Sequence, residues 1–385
     1  MDALNLLFVN LREAITTWLA GFLPMWAAEA VVHFGVGIIL VLMALMSVLA
    51  LPLGERKVVG RFQDRFGPNR WGPWGIFTPI ADGIKMLTKE DIVPDGADYR
   101  VHLLAPILTI MTAVLIYAVL PFGEGMWGAD LNVGILYIVA IASLGTIAIL
   151  MAGWSSNNKY SLLGAFRVVA QLISYEIPMV LSIVAVVLLT GSMSMVEIVR
   201  QQQVPYLITM PLVFFVYLLA ASAELYRTPF DMIEADSELV AGFFTEYSGM
   251  KFVMFFMSEY FNLFAMSAII TTLFLGGWRG PILPGYVWFF VKCGAVIFVF
   301  WWVRSMMPRI RIDHLLNLAW KFLVPLALVN LMVVGLVAKL IADGPVQYIA
   351  LLVANIVVAI AVIGVLAFAG QRARSRRLQR ITAQS

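Results

Sequence analysis

The chain has 385 residues, 62% of them hydrophobic and only 13% charged, with a formal net charge of +3. A mean hydropathy of +0.91 excludes a soluble domain of this size, which needs a charged surface that the chain does not supply. The single cysteine excludes a disulfide framework within the chain and any zinc or iron–sulfur cluster held by thiolates.

Runs of about 20 apolar residues recur along the chain, each long enough to cross a bilayer core of roughly 30 Å as a helix. They predict an all-α, polytopic membrane protein. Segment 1–30 mixes apolar runs with Arg12, Glu13 and Glu29 and lacks a signal peptide's charged start and cleavage site. It reads as an amphipathic helix lying in the interface. Nine spans follow: 31–53, 101–122, 133–152, 174–190, 206–225, 251–276, 286–303, 321–342 and 346–369. A basic tail, 370–385, closes the chain. Every second loop is basic, and these loops with the tail hold most of the 26 Lys and Arg. By the positive-inside rule the N-terminus lies outside and the C-terminus in the cytoplasm. No internal repeat of the transporter kind is present.

The inner loops carry most of the polar chemistry. After the first span come Glu55, Arg56 and Arg65, then the turn-forming pieces GPN and WGPWG. In IFTPIADGIKMLTKE the residues Ile76, Ile80, Ile84 and Leu87 recur at helical spacing, which predicts a second amphipathic surface helix. Next, Arg167, Gln171 and Glu176 stand on a helix running up to Pro178. The segment AELYRTPFDMIEADSELVAGFFTEYSG then supplies Glu224, Arg227, Asp231, Glu234, Asp236, Glu238 and Glu246. Asp231, Glu234 and Glu238 fall on one helical face, where like charges repel. Glu259 lies about 12 Å into an apolar run and needs a partner, water or a proton. Lys292 and Lys339, inside later spans, are candidate partners. A solvated acidic loop accounts for 231–238 alone. A buried, hydrated carboxylate path for protons also accounts for Glu176, Glu224 and Glu259.

The three histidines leave a haem pair open but read as unrelated structural positions. No phosphate-binding loop and no dinucleotide fingerprint is present, so any nucleotide or redox metal belongs to a partner.

Several long stretches, in order, carry a resemblance: ERKVVGRFQDRFGPNRWGPWG, PIADGIKMLTKE, GWSSNNKYSLLGAFRVVAQLISYE, the acidic segment above, SEYFN, LFLGGW and MPRIRIDHLLNLAWKFLVPLAL. Over residues 31–342 the chain resembles the H-subunit family of bacterial NADH–quinone oxidoreductase (respiratory complex I), the family of mitochondrial NADH dehydrogenase subunit one. The resemblance implies an eight-helix core, so span 346–369 would be an extra C-terminal transmembrane helix. It implies a quinone-chamber protein with no redox centre, catalytic residue or metal of its own. Quinone would be the substrate, and FMN and iron–sulfur clusters would sit on partner subunits. The implied partners are the hydrophilic-arm subunits at the quinone site, small membrane subunits and antiporter-like subunits, in the bacterial inner membrane, with no nucleic acid.

Carried over by motif, Glu55, Arg56, Arg65, Arg227, Asp231, Glu234, Arg304 and Arg309 would line the quinone chamber. Arg167, Glu176, Glu224, Glu238, Glu246 and Glu259 would couple quinone reduction to proton pumping. Thr78, Tyr226, Asp236, Ile312 and His314 depart from the pattern, and Tyr226 stands where the family has asparagine. The rival readings are the homologous membrane component of a membrane-bound hydrogenase, a proton-coupled solute carrier and a structural anchor.

Overall fold

The computed structural model describes residues 7–232, 241–341 and 344–382. Glu234, Asp236 and Glu238 lie outside the described residues. The described chain is helical, with no strand beyond one isolated bridge between Gly123 and Met126. Eight of the described helices are long and apolar enough to cross a membrane.

Helix α1 (Leu7–Ala20) is the predicted N-terminal surface helix. Its Phe8 meets Tyr286 edge-on with ring centroids 5.5 Å apart. Helix α2 (Met25–Phe62) starts before the expected span and runs through Pro52, carrying Glu55 and Arg56 within it. The GPN and WGPWG pieces form the expected turns: Gly75 has φ +76°, and a Cβ there would fall 2.4 Å from the Pro68 carbonyl oxygen. Helix α3 (Thr78–Thr88) is the predicted amphipathic segment, with Ile80, Ile84 and Leu87 exposed along it.

Helices α4 (Tyr99–Ile116), α5 (Gly134–Ser155) and α6 (Lys159–Thr190) form the next antiparallel set. Pro178 lies inside α6, which joins the helix carrying Arg167 to the predicted span 174–190. Proline removes one backbone donor, and the buried surroundings of Tyr175, Pro178 and Met179 hold the helix across that gap. Two short helices, α7 (Met195–Gln201) and α8 (Tyr206–Thr209), precede α9 (Pro211–Glu224). The predicted span 206–225 is thus broken at Met210, and the 14 residues of α9 reach only about 21 Å.

Helix α10 (Gly249–Phe274) is the most enclosed of the spans, with 67% of its apolar stretch buried. It packs on α4, α11 (Gly285–Met306) and α2. Helix α12 (Ile312–Leu318) passes through one π turn, Ala319–Leu323, into α13 (Val324–Leu340). Helix α14 (Pro345–Thr382) continues without a break from the last apolar span into the basic tail. Alternation of helix direction gathers the basic loops at one end of the bundle. There Ile310 N donates to Pro229 O (3.1 Å) and Asp98 N to Ser155 O (3.0 Å).

Candidate functional site

Glu55 sits deeper than its place in a charged motif suggests. It is buried on α2, and its Oε1 accepts hydrogen bonds from the guanidinium groups of both Arg227 and Arg304. Arg227, 2% exposed, also pairs with Glu259 on α10 across 3.2 Å and stands 5.1 Å above the Tyr260 ring. Two carboxylates and two guanidiniums from α2, α10, the end of α11 and the turn after α9 therefore form one balanced cluster. Burial disfavours the Arg227 charge, but Glu259 and Glu55 outweigh that and raise its pKa, so it stays a cation. The partner of Glu259 is thus Arg227, not Lys292. Lys292 Nζ instead donates to the carbonyls of Leu275 (2.7 Å), Gly277 (3.0 Å) and Arg279 (2.6 Å) at the opposite end of the bundle.

Glu259 and Glu224 open into one narrow cavity of about 80 Å³ among α4, α5, α6, α9 and α10. Its walls are mostly apolar, and Thr109, Thr112, Thr146, Ser258 and Asn262 add polar side chains to them. Glu224 Oε2 is buried with no hydrogen-bond partner among the described residues. Glu176, one helix away on α6, accepts from Ser143 Oγ at 2.6 Å, and its field reaches Glu224. Such a cavity suits water, and water suits carboxylate oxygens that no side chain pairs.

The turn between Glu224 and Arg227 explains how both charges enter the interior. Leu225 N donates to Ala221 O and Arg227 N to Ser222 O, closing α9 with a reversal in which Tyr226 takes φ +53°. That left-handed position normally holds glycine or asparagine, and a residue with a Cβ there costs roughly 1–2 kcal/mol. Gln171 on α6 braces the turn, its Nε2 donating to Ala223 O (2.6 Å) and Phe230 O (2.7 Å).

The other candidate residues lie nearby or apart. Arg167 and Arg309 converge on the Met232 sulfur at 3.6 and 4.0 Å, so two cations flank the last described residue before the acidic stretch. Asp231 lies one residue before Met232. Arg56 pairs with Asp82 of α3 at the surface (2.7 Å), and Arg65 donates to Gln63 (2.7 Å). Glu246 is in a separate polar group. It accepts from Asn158 (2.7 Å), beside Tyr247, whose hydroxyl meets Ser155 and whose ring stacks on His102 at 4.0 Å. The sequence grouped Glu246 with the coupling glutamates, but it does not line their cavity. Among the described residues no set of three or more His, Cys, Asp or Glu could hold a metal ion.

A family profile described as NADH dehydrogenase matches residues 36–335. The chain is 56% identical over 289 residues to the NADH-quinone oxidoreductase H subunit of Dehalococcoides mccartyi (strain CBDB1), covering 75% of this chain and 82% of that protein. It is 48% identical over 324 residues to the H subunit of Geobacillus sp. (strain WCH70), covering 82% and 97% respectively. The H subunit of Carboxydothermus hydrogenoformans matches at 44% over 342 residues, covering 86% and 96%.

Proposed function

Because the chain belongs to the H-subunit family of NADH-quinone oxidoreductase, we propose that it forms most of the quinone chamber of that complex and couples quinone reduction to proton pumping. Quinone is the substrate in this reading, and FMN and iron–sulfur clusters belong to partner subunits. The partners are hydrophilic-arm subunits at the quinone site, small membrane subunits and antiporter-like subunits. The complex sits in a bacterial inner membrane, with the basic loops and the C-terminus on the cytoplasmic side.

The observation that carries the reading is the position of Arg227. It links Glu55, assigned to the chamber wall, to Glu259, which opens into the cavity of Glu224. Charge appearing on a quinone headgroup near Glu55, Arg304 and Arg309 would draw on Arg227. A weaker Arg227–Glu259 pair leaves Glu259 a better proton acceptor, and Glu224 and Glu176 lie within reach of that change. In this reading Asp231, Glu234 and Glu238 supply further carboxylates to the chamber, and Arg167 belongs to the coupling path. Arg56 and Arg65 shape the mouth with the amphipathic α3.

Glu259→Gln in the assembled complex tests this. NADH oxidation by a hydrophilic acceptor should be unchanged, because it bypasses the membrane arm. Quinone-linked turnover, or protons pumped per NADH in proteoliposomes, should fall by about a hundredfold or more, the scale of removing a proton-transfer group. Wild-type values for both would refute the coupling role.

A further inference from the structure

Tyr226 stands in a costly conformation. It occupies the left-handed position that closes α9, with φ +53°, and a bulky residue there is an outlier. Such strain persists only where the surrounding structure holds it, and it gathers at functional sites. The ring does not leave for lipid. It lines the same cavity as Glu224 and Glu259, and the fields of both carboxylates reach its hydroxyl. The two residues beside the strained turn make the geometry specific. Glu224 precedes it with one buried oxygen lacking a partner among the described residues, and Arg227 follows it holding Glu259. The turn thus places one phenol in the cavity that also receives a carboxylate held by a guanidinium and a carboxylate oxygen that no described side chain pairs.

We propose that the Tyr226 hydroxyl relays protons between Glu259 and Glu224 across the cavity they share. In the relay Oη accepts a proton from the carboxyl group on one side, directly or through one water. As it does so it releases its own proton to the carboxylate on the other. The donor carboxyl's O–H and the phenol's own O–H break, new O–H bonds form at Oη and at the acceptor carboxylate, and the phenol ends neutral, so no further reactant is needed. Asparagine at this position would also present a polar group to the cavity, without the strained backbone. Phenylalanine would keep the strain and the packing but lose the polar group.

The inference rests on the coupling role proposed for Glu259 and Glu224, so the experiment carries Glu259→Gln alongside. Assembled complex bearing Tyr226→Phe, Tyr226→Asn or Glu259→Gln is reconstituted in proteoliposomes. Quinone-linked turnover, pumping and the solvent deuterium isotope effect are measured, with thermal stability of each complex. Tyr226→Phe should slow coupled turnover roughly tenfold. That is less than loss of a carboxyl that must hold the proton would cost, since cavity water takes over part of the relay. The isotope effect should rise, at unchanged stability. Tyr226→Asn should recover part of the lost rate, because an amide can hold a relaying water in the cavity but cannot pass on the proton itself. A role in packing alone predicts the opposite order, with phenylalanine close to wild type and asparagine impaired, and that order overturns the proposal. If Glu259→Gln is impaired and Tyr226→Phe is not, the relay fails while the coupling role stands. If all three match wild type, the coupling role itself fails.

Discussion

Replacing Arg227 with glutamine isolates the contact at the centre of the charged cluster. Its Nη2 lies 3.2 Å from Glu259 Oε1. At an effective dielectric constant of about 20, unit charges at that distance attract by roughly 5 kcal/mol. Part of this is offset by the cost of burying the guanidinium. The two carboxylates respond differently to its loss. Glu55 keeps Arg304, so its charge stays compensated. Glu259 loses the cation that holds it in the cavity wall. Truncating one member of a buried pair typically costs about 3–5 kcal/mol, because the other charge is stranded. Arg227→Gln should therefore lose stability on that scale in equilibrium unfolding in mixed detergent micelles, followed by helical circular dichroism. Arg227→Gln with Glu259→Gln removes both charges and should restore at least about 2 kcal/mol of that loss, a coupling typical of direct ion-pair neighbours. A loss below about 1 kcal/mol for the single variant would refute the argument. So would a double variant whose cost is the plain sum of the two single ones.

Two further substitutions test the frame around the site. Lys292→Met removes three hydrogen bonds to the carbonyls of Leu275, Gly277 and Arg279. Amide exchange across residues 275–280 should quicken, while quinone-linked turnover stays at wild type, because the loop lies at the end of the bundle away from Glu55. Gly164→Ala would place a Cβ 2.8 Å from the Gly242 Cα and 3.0 Å from the Phe243 nitrogen. Both contacts are backbone, so α6 or the 242–244 turn must retreat at a cost of about 1–3 kcal/mol. The same micelle unfolding, and the amount of assembled complex recovered, would register it.

Much of this was legible in the sequence, and the limits have physical causes. Apolar run lengths place the spans because lipid imposes a helix on any chain that crosses it. They fail at 206–225, where Pro211 follows a four-residue helix and the break at Met210 leaves no periodic trace. The insertion cost of Glu259 announces that it needs a partner but not which one. Lysines inside spans looked nearest in depth, yet Lys292 finds backbone carbonyls at the other end of the bundle. Arg227 lies in a loop by sequence, and only the left-handed turn at Tyr226 carries it inward. The departure from asparagine at 226 was the visible clue to that turn, since asparagine is one of the few residues that tolerates the conformation.

The charge pattern that results is uneven in a way that bears on mechanism. Glu55, Arg227, Glu259 and Arg304 are matched two against two, and a matched cluster resists change until something disturbs a member. Glu224 has an oxygen with no partner among the described residues, in a mostly apolar cavity whose few polar side chains can anchor water. The first arrangement is suited to sensing a new charge, because any anion near Glu55 or Arg304 competes for Arg227. The second is suited to exchanging a proton, because no side-chain bond to that oxygen must break first. On the proposed reading the two differ by one turn of chain. Shifting Arg227 by a fraction of an ångström then alters Glu259 without moving a helix, which couples a redox event to a proton site through electrostatics alone.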